Sequence, residues 1–463
     1  MEKKILPAVL LVFFAALFAA LITFNPVAGA ILFATGLFIA LILIRPHWGF
    51  YLAFIMAPLS NVVFMYESPI RIVSERYSPI IIPISLTAAA LMLKRVTSSG
   101  NGGERRRIAM YGLLFLIFLW TVTTYFWTID VYHGVNSIYG LAVGIALYVL
   151  ILNFIRNEED LVRLLKITVL WGFLLTALFL ISNKVDLKSV IFEPLTRDTS
   201  FQINVLTSDS RPGGFAPPQT AGNIMGFIFF MGIAIFPRLK RTGKILLVCL
   251  GLMLLSAILS TSSKGVIGAF FIATAFFVFA YPKTRQKILS RSFVFVTAFA
   301  SIFIFNVLAL QSDRLVSSSH QAELSLTLRL EFWAAGLNMM KTHWLGGGVG
   351  GFASVVDPWP GAHSFYFSIL FDIGIIGLVL FFLFIGRIVL QLGDSISRVK
   401  DHDMERYLYC MAGALVMFLV QGVVEMSYSL GYFWMLIGLV AATINIACNT
   451  EARGRDDGFR TAQ

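Results

Sequence analysis

The chain has 463 residues, of which 58% are apolar and only 13% charged, with a mean hydropathy of +0.82 and a formal net charge of +11. Soluble domains carry about 25% charged residues, so this composition excludes a soluble globular protein. In lipid the backbone must satisfy its own hydrogen bonds, and non-alternating apolar runs of roughly 17–25 residues select helices over a closed barrel.

The fold class expected is therefore all-α: a polytopic transmembrane helix bundle of about 12–14 spans. Met1-Glu2-Lys3-Lys4 precedes the first apolar run, and no small-residue cleavage site clearly ends that run, which reads as a retained helix. Apolar segments lie at 5–24, 27–44, 49–66, 78–93, 108–126, 135–153, 161–181, 218–236, 245–261, 265–281, 292–310, 362–388, 407–424 and 429–447. Two connections are tight, at Asn25-Pro26 and at Ser262-Ser263-Lys264-Gly265. Either is compatible with a re-entrant feature, so twelve spans is the alternative to fourteen.

Charge placement orients this map. With the N-terminus in the cytoplasm, most of the 36 Lys and Arg fall in cytoplasmic loops, including the clusters at 94–107, 238–244, 283–291 and 387–406. The positive-inside rule predicts that asymmetry, and it explains the net charge without invoking nucleic acid. The organisation expected is N-terminal transmembrane helices over 1–200, a second transmembrane region over 201–447 containing the long outer loop 311–361, and a cytoplasmic tail over 448–463.

Within that loop Leu326, Leu330, Trp333, Leu337 and Met340 step by four and three, one face of an amphipathic helix. The spacing predicts a helix over 321–343, lying on the outer surface or capping a cavity and ended by Gly346-Gly347-Gly348.

Cations kept on the outer side have little topological reason to be there. Three of them merit attention. Lys264, between two apolar helices at or near membrane depth, reads as a buried cation in need of an anion, and neighbouring hydroxyls and the adjoining helix start could help hold a phosphate there; a snorkelling lysine is the alternative. Arg211 sits in a Pro- and Gly-rich turn, and its planar fork suits phosphate; a turn arginine is the alternative. Arg329 opens the amphipathic stretch, where a solvated or Glu331-paired charge is the alternative. His363 stands at the mouth of the twelfth segment, where a neutral imidazole is a natural general base and Ser364 and Tyr366 could orient it. His320 and His343 share the preceding loop and read as ordinary loop residues. Asp372 and Glu425 are interfacial acids that could relay protons or pair with cations. Gly374 and Gly377, three apart, would let another helix approach closely. Cys249, Cys410 and Cys448 sit in apolar segments and form neither a disulfide framework nor a metal site. There is no Walker A loop, dinucleotide fingerprint, GxSxG elbow or HExxH.

Arg329-Leu330-Glu331-Phe332-Trp333, Gly348-Val349-Gly350-Gly351-Phe352, His363-Ser364 and the following Gly374 and Gly377 together resemble the C-terminal signature of the O-antigen ligase and polysaccharide polymerase family. Residues 260–268 and 211–221 are similar to two further boxes of that family, with Lys264 where arginine is usual and Gln219 where asparagine is usual. The resemblance implies a multi-pass enzyme of the bacterial inner membrane with its active site facing the periplasm. It implies a donor glycan on undecaprenyl diphosphate and a sugar-hydroxyl acceptor, on lipid A-core for a ligase or on another lipid-linked repeat for a polymerase. It further implies membrane lipids as partners and no metal or nucleotide cofactor. In that setting Arg211, Lys264 and Arg329 would stabilise the diphosphate leaving group, and His363 would deprotonate the acceptor, with inversion at the anomeric carbon. A repeat-unit polymerase, a lipid or glycan transporter and a membrane scaffold are the rival readings.

Overall fold

The structure, a computed structural model, describes residues 39–57, 62–66, 76–77, 81–97, 110–182, 201–205, 218–261, 263–281, 329–352, 364–424 and 431–460. Two compact units divide the chain, 1–53 with 81–103, and 54–80 with 104–463.

In the first unit, the helical residues 39–44 and the start of α1 (Pro46–Met56) pack with α2 (Ile81–Thr97). A Cβ at Gly49 would strike Thr87 and Ile42, and Ile42, Phe50 and Ile84 are buried beside it.

The second unit is a helix bundle: α3 (Tyr111–Thr124), α4 (Val131–Phe154), α5 (Glu158–Ser182), α6 (Pro218–Ile235), α7 (Arg241–Ser260), α8 (Lys264–Ala280), α9 (329–340), α10 (Phe365–Arg398), α11 (His402–Gln421) and α12 (Gly431–Arg460). Among the described residues, six helices are long and apolar enough to cross a membrane, those of α4, α5, α6, α7, α10 and α12; α3 and α8 are shorter and equally apolar. The expected helical bundle is what the chain forms. The expected segments 5–24 and 292–310 lie outside the described residues.

Two local expectations change. The segment 49–66 is helical only to Met56, and Val62–Tyr66 is a strand (β1). It pairs antiparallel with β2 (Arg76–Tyr77) and β3 (Phe201–Val205), with Phe64 opposite both Tyr77 and Ile203. Val62, Val63, Phe64 and Tyr66 are β-branched or aromatic, the types a pleated surface favours. At the other end of the chain α12 runs through to Arg460, so the segment read as a tail is helical for most of its length.

The bundle has two distinguishable ends. At one, α5 and α11 begin where α6 finishes. Arg238 bridges Glu158 and Asp403, Arg406 pairs with Asp403 at 2.8 Å, and Arg406 Nε donates to Ala234 O at 2.9 Å. Acids at two helix starts and arginines at a helix finish suit the helix dipoles. Burial pushes the Asp403 carboxyl up, but hydrogen bonds from Arg238 and Arg406 outweigh it and hold it below the usual carboxylate range. A depressed carboxylate stabilises the fold above its unfolded pKa and loses that contribution as the acid form takes over. The wild type is therefore expected to lose thermal stability faster than Asp403→Asn as the pH falls below about 4 in detergent. Parallel curves for the two proteins would remove this network from the stability account.

At the opposite end lie the finish of α3, the starts of α4, α8, α10 and α12, and the finish of α11. Every described candidate residue of the outer loops is here.

Candidate functional site

The organising feature is a break in α10. Gly374 has φ 71° and ψ −172°, a combination open to glycine alone, so α10 is two helices, 365–373 and 375–398, meeting at that residue. A broken helix at membrane depth must have its freed backbone groups satisfied by protein. The loop 344–350 does this. Gly347 N donates to Phe371 O at 2.8 Å, and Ile375 N donates to Trp344 O at 3.2 Å. From α3, Trp120 Nε1 donates to Ile373 O at 2.8 Å. Trp120→Phe keeps an aromatic ring, though a smaller one, and leaves that carbonyl unpaired, so a loss of at least about 1–3 kcal/mol of stability is expected in denaturant titration. An unchanged midpoint would show that the carbonyl finds another donor.

The loop is shaped for this fit. Gly346, Gly348 and Gly350 all have positive φ. A Cβ at Gly348 would lie 2.2 Å from Thr128 Cα, and one at Gly350 2.5 Å from His133 C. Thr128 Oγ1 donates to Val349 O at 2.8 Å, and Phe352 N donates to Asp372 Oδ1 at 3.1 Å. Asp372 is thus a buried anchor for the end of the loop. Glu425 lies outside the described residues.

Gly374 and Gly377 serve differently from the expected helix-to-helix contact. What comes close to Gly374 is loop backbone, since a Cβ there would be 2.3 Å from Leu345 C. A Cβ at Gly377 would meet the side chain of Ile373, one turn back on its own helix.

The helix predicted over 321–343 is helical from 329 to 340 among the described residues, and it packs through a face turned from the expected one, which keeps Trp333 and Met340 of the expected stripe and leaves out Leu330 and Leu337. Phe332, Met339 and Met340 pack on Phe352 and Phe371. Gly336 supplies the close approach, for a Cβ there would fall 2.2 Å from Phe371. Trp333 meets Phe367 at a ring separation of 4.8 Å. Leu330 and Leu337 of the expected stripe remain 53% and 48% exposed, and Trp344 is exposed beyond them. The small residue, not the bulkiest row, decides the contact, because the Phe371 ring fits only where a side chain is missing.

The described candidates take these places. Lys264 is the first residue of α8 and is exposed, so it is not the buried cation the sequence suggested. The hydroxyls of Ser260 and Thr261 donate to Ser256 O and Ile258 O of their own helix, which leaves them committed to backbone. Gly265, beside Lys264, faces the turn 421–424: a Cβ there would be 2.7 Å from Val424 and 3.2 Å from Gln421 Oε1. Arg329 is the half-buried first residue of α9. Arg211 and His363 lie outside the described residues. Ser364, the residue after His363, is 1% exposed; its Oγ donates to Gly422 O at 3.3 Å, and Phe365 N donates to the same oxygen at 2.8 Å. Tyr366 OH donates to Leu419 O at 2.8 Å. The two hydroxyls that sequence reading offered as orienters of His363 instead fasten the start of α10 to the finish of α11. The starts of α8 and α10 therefore meet one turn, 421–424, and α9 is bound to the same first half of α10.

Sequence reading missed a second histidine at this end. Asp130 caps α4, accepting from His133 N at 3.0 Å, and its Oδ2 lies 2.8 Å from His133 Nδ1. Burial raises the Asp130 carboxyl, but the His133 backbone and ring together hold it lowered. The signal was an Asp three residues before a His at a helix start, which also reads as a plain capping pair.

Residues 247–382 match the family model described as O-antigen ligase. The matched residues run from α7 through α8, the loop 344–350 and the break at Gly374, and so include the starts of α8 and α10 at the site end of the bundle. That match supports the resemblance to the O-antigen ligase and polymerase family expected from the sequence motifs, over residues 247–382. No curated protein matches the chain. A solved chain from a study of how a peptidoglycan synthase complex coordinates polymerization and crosslinking aligns at TM-score 0.41 and 16% identity, over 74% of this chain and 97% of that one. A likeness at that score carries no argument. The family is one of glycosyltransferase-like membrane enzymes acting on lipid-linked glycans. Among the described residues no His, Cys, Asp and Glu cluster is suited to hold a metal. Cys249, Cys410 and Cys448 are free.

Proposed function

We propose that this chain is a glycosyltransferase of the ligase type, moving a glycan from undecaprenyl diphosphate to a sugar hydroxyl at the end of the bundle opposite the arginine network. The observation that carries this reading is the meeting of two chain segments on the turn 421–424: Gly265, next to Lys264, and Ser364, next to His363. Lys264 and His363 are the chain neighbours of these two residues in the matched stretch; Lys264 is described, and His363 lies outside the described residues.

The chemistry follows from charge and protons. As the glycosidic bond to the diphosphate breaks, negative charge grows on phosphate oxygens. Lys264 at the start of α8 offers an ammonium and a helix N-terminus to that charge, with Arg211 and Arg329 as further cations. The acceptor hydroxyl becomes a nucleophile as His363 takes its proton. Attack opposite the diphosphate inverts the anomeric carbon. Lysine rather than arginine at 264 gives a point charge instead of a fork. The positive-inside rule reads the basic end, with Arg238, Lys240, Arg241, Lys244 and Arg406, as the cytoplasmic one, which supports chemistry on the periplasmic side of a bacterial inner membrane. Leu330, Leu337 and Trp344 give α9 an apolar outer face for lipid.

Broken helices also occur in transporters, where freed backbone binds the transported ion. Here the groups freed at Gly374 are taken by Trp344, Gly347 and Trp120, which favours a scaffold for catalysis over an ion path. The test is incubation of the purified protein with a lipid-linked glycan and candidate acceptors, with neither nucleotide nor metal added. Transfer to lipid A-core supports the ligase; chain growth on the carrier lipid assigns a polymerase; movement of the lipid across vesicles without transfer overturns the enzyme reading.

A further inference from the structure

At the junction of α6, α8 and α11 two buried carboxamides stand unpartnered. Asn223 is 0% and Gln421 1% exposed, and neither the oxygen nor the nitrogen of either amide has a hydrogen-bond partner. The helix register brings them to one level. Along the contact of α6 with α11, Phe230 lies against Gly413 and Gly226 against Met417. One further turn on each helix reaches 222–223 and 421. The third side is α8, with Val266 against Gly222 and Gly265 against Gln421. A Cβ at Gly265 would be 3.2 Å from Gln421 Oε1 and 3.6 Å from Nε2. Exposed Lys264 is the next residue, and no side chain caps the start of α8.

Burying an amide without a partner is unfavourable, and two at one level of a membrane bundle point to a polar guest. A carboxamide presents both donors and lone pairs. A phosphate oxygen accepts only and would leave both amide oxygens facing negative charge. A hydroxyl donates and accepts, and answers both. The approach from Lys264 crosses Gly265, which interposes no side chain.

We infer that Asn223 and Gln421 form a hydroxyl-binding subsite for the donor sugar, the one attached to the diphosphate that Lys264 faces; this rests on the function proposed above.

The test uses the full-length protein in detergent and two probes: a polyprenyl diphosphate bearing one N-acetylhexosamine, and the same diphosphate without sugar. Gln421→Leu and Asn223→Leu remove the amides at similar volume. Both variants are expected to melt at or above the wild-type temperature, because an unpaired polar group is gone. Each is expected to bind the sugar-bearing lipid at least tenfold more weakly while binding the bare diphosphate lipid as wild type does. Equal affinity of wild type and variants for the sugar-bearing lipid overturns the inference, as does equal weakening for both lipids. Should a leucine variant fail to fold, Gln421→Met carries the same comparison. A wild type that discriminates the two lipids but transfers nothing overturns the proposed function and leaves the subsite standing.

Discussion

His363→Ala is expected to yield an inserted, folded protein whose transfer rate is lower by about 10²–10⁴-fold, the usual contribution of a positioned general base. The reasoning is positional. Ser364 and Phe365 are fixed to Gly422 by two hydrogen bonds, and Tyr366 to Leu419 by a third, so the chain after position 363 is held whatever stands there. Removing the imidazole therefore removes a proton acceptor without loosening α10. The measurement is turnover of a lipid-linked glycan by purified protein, alongside a melting curve that reports the fold. Lys264→Ala should weaken donor use, and Lys264→Arg should restore part of it, since the charge returns and brings a fork. A His363→Ala protein within threefold of wild-type turnover would end the assignment of this residue as base, and attention would pass to His133, whose ring is aligned by Asp130 at the same end of the bundle.

The second large effect belongs to Gly374. An alanine there takes on a backbone conformation that side-chain-bearing residues avoid, and its methyl meets the backbone of Leu345, which cannot turn aside as a side chain can. Strain and overpacking together predict a loss of roughly 2–5 kcal/mol. Activity should fall with stability, because the loop 344–350 would lose its hydrogen bonds to Phe371 and Ile375. Gly377→Ala is the control: its methyl meets only the Ile373 side chain among the nearest atoms, and Gly377 has no positive φ. Unfolding of the two variants in detergent separates the cases. If Gly374→Ala melts no lower than Gly377→Ala, the break is a tolerant bend rather than a required one.

Much of the chain was legible as sequence. Apolar runs between basic loops announce a helical membrane protein because lipid permits few other backbones and because cations stay on the cytoplasmic side. The glycine, histidine and arginine boxes resembled the family whose model matches residues 247–382. The amphipathic helix before α10 was visible in its spacing. Its packing face was not, because that depends on Phe371, a residue of another helix, entering at Gly336. The strand at Val62–Tyr66 was hidden inside an apolar run, since periodicity over so short a stretch does not separate strand from helix.

Composition and local pattern thus determine which segments enter the membrane, which end is basic, and which residues carry charge or a titratable proton. Tertiary structure alone decides that Gly374 breaks a helix rather than seats one, that Asp372 holds a loop, that Ser364 and Tyr366 fasten α10 to α11, and that Asn223 and Gln421 share a level without partners. Those outcomes depend on backbone groups meeting across long sequence separations, such as Trp120 with Ile373, and no local spacing encodes which distant carbonyl will be left needing a donor.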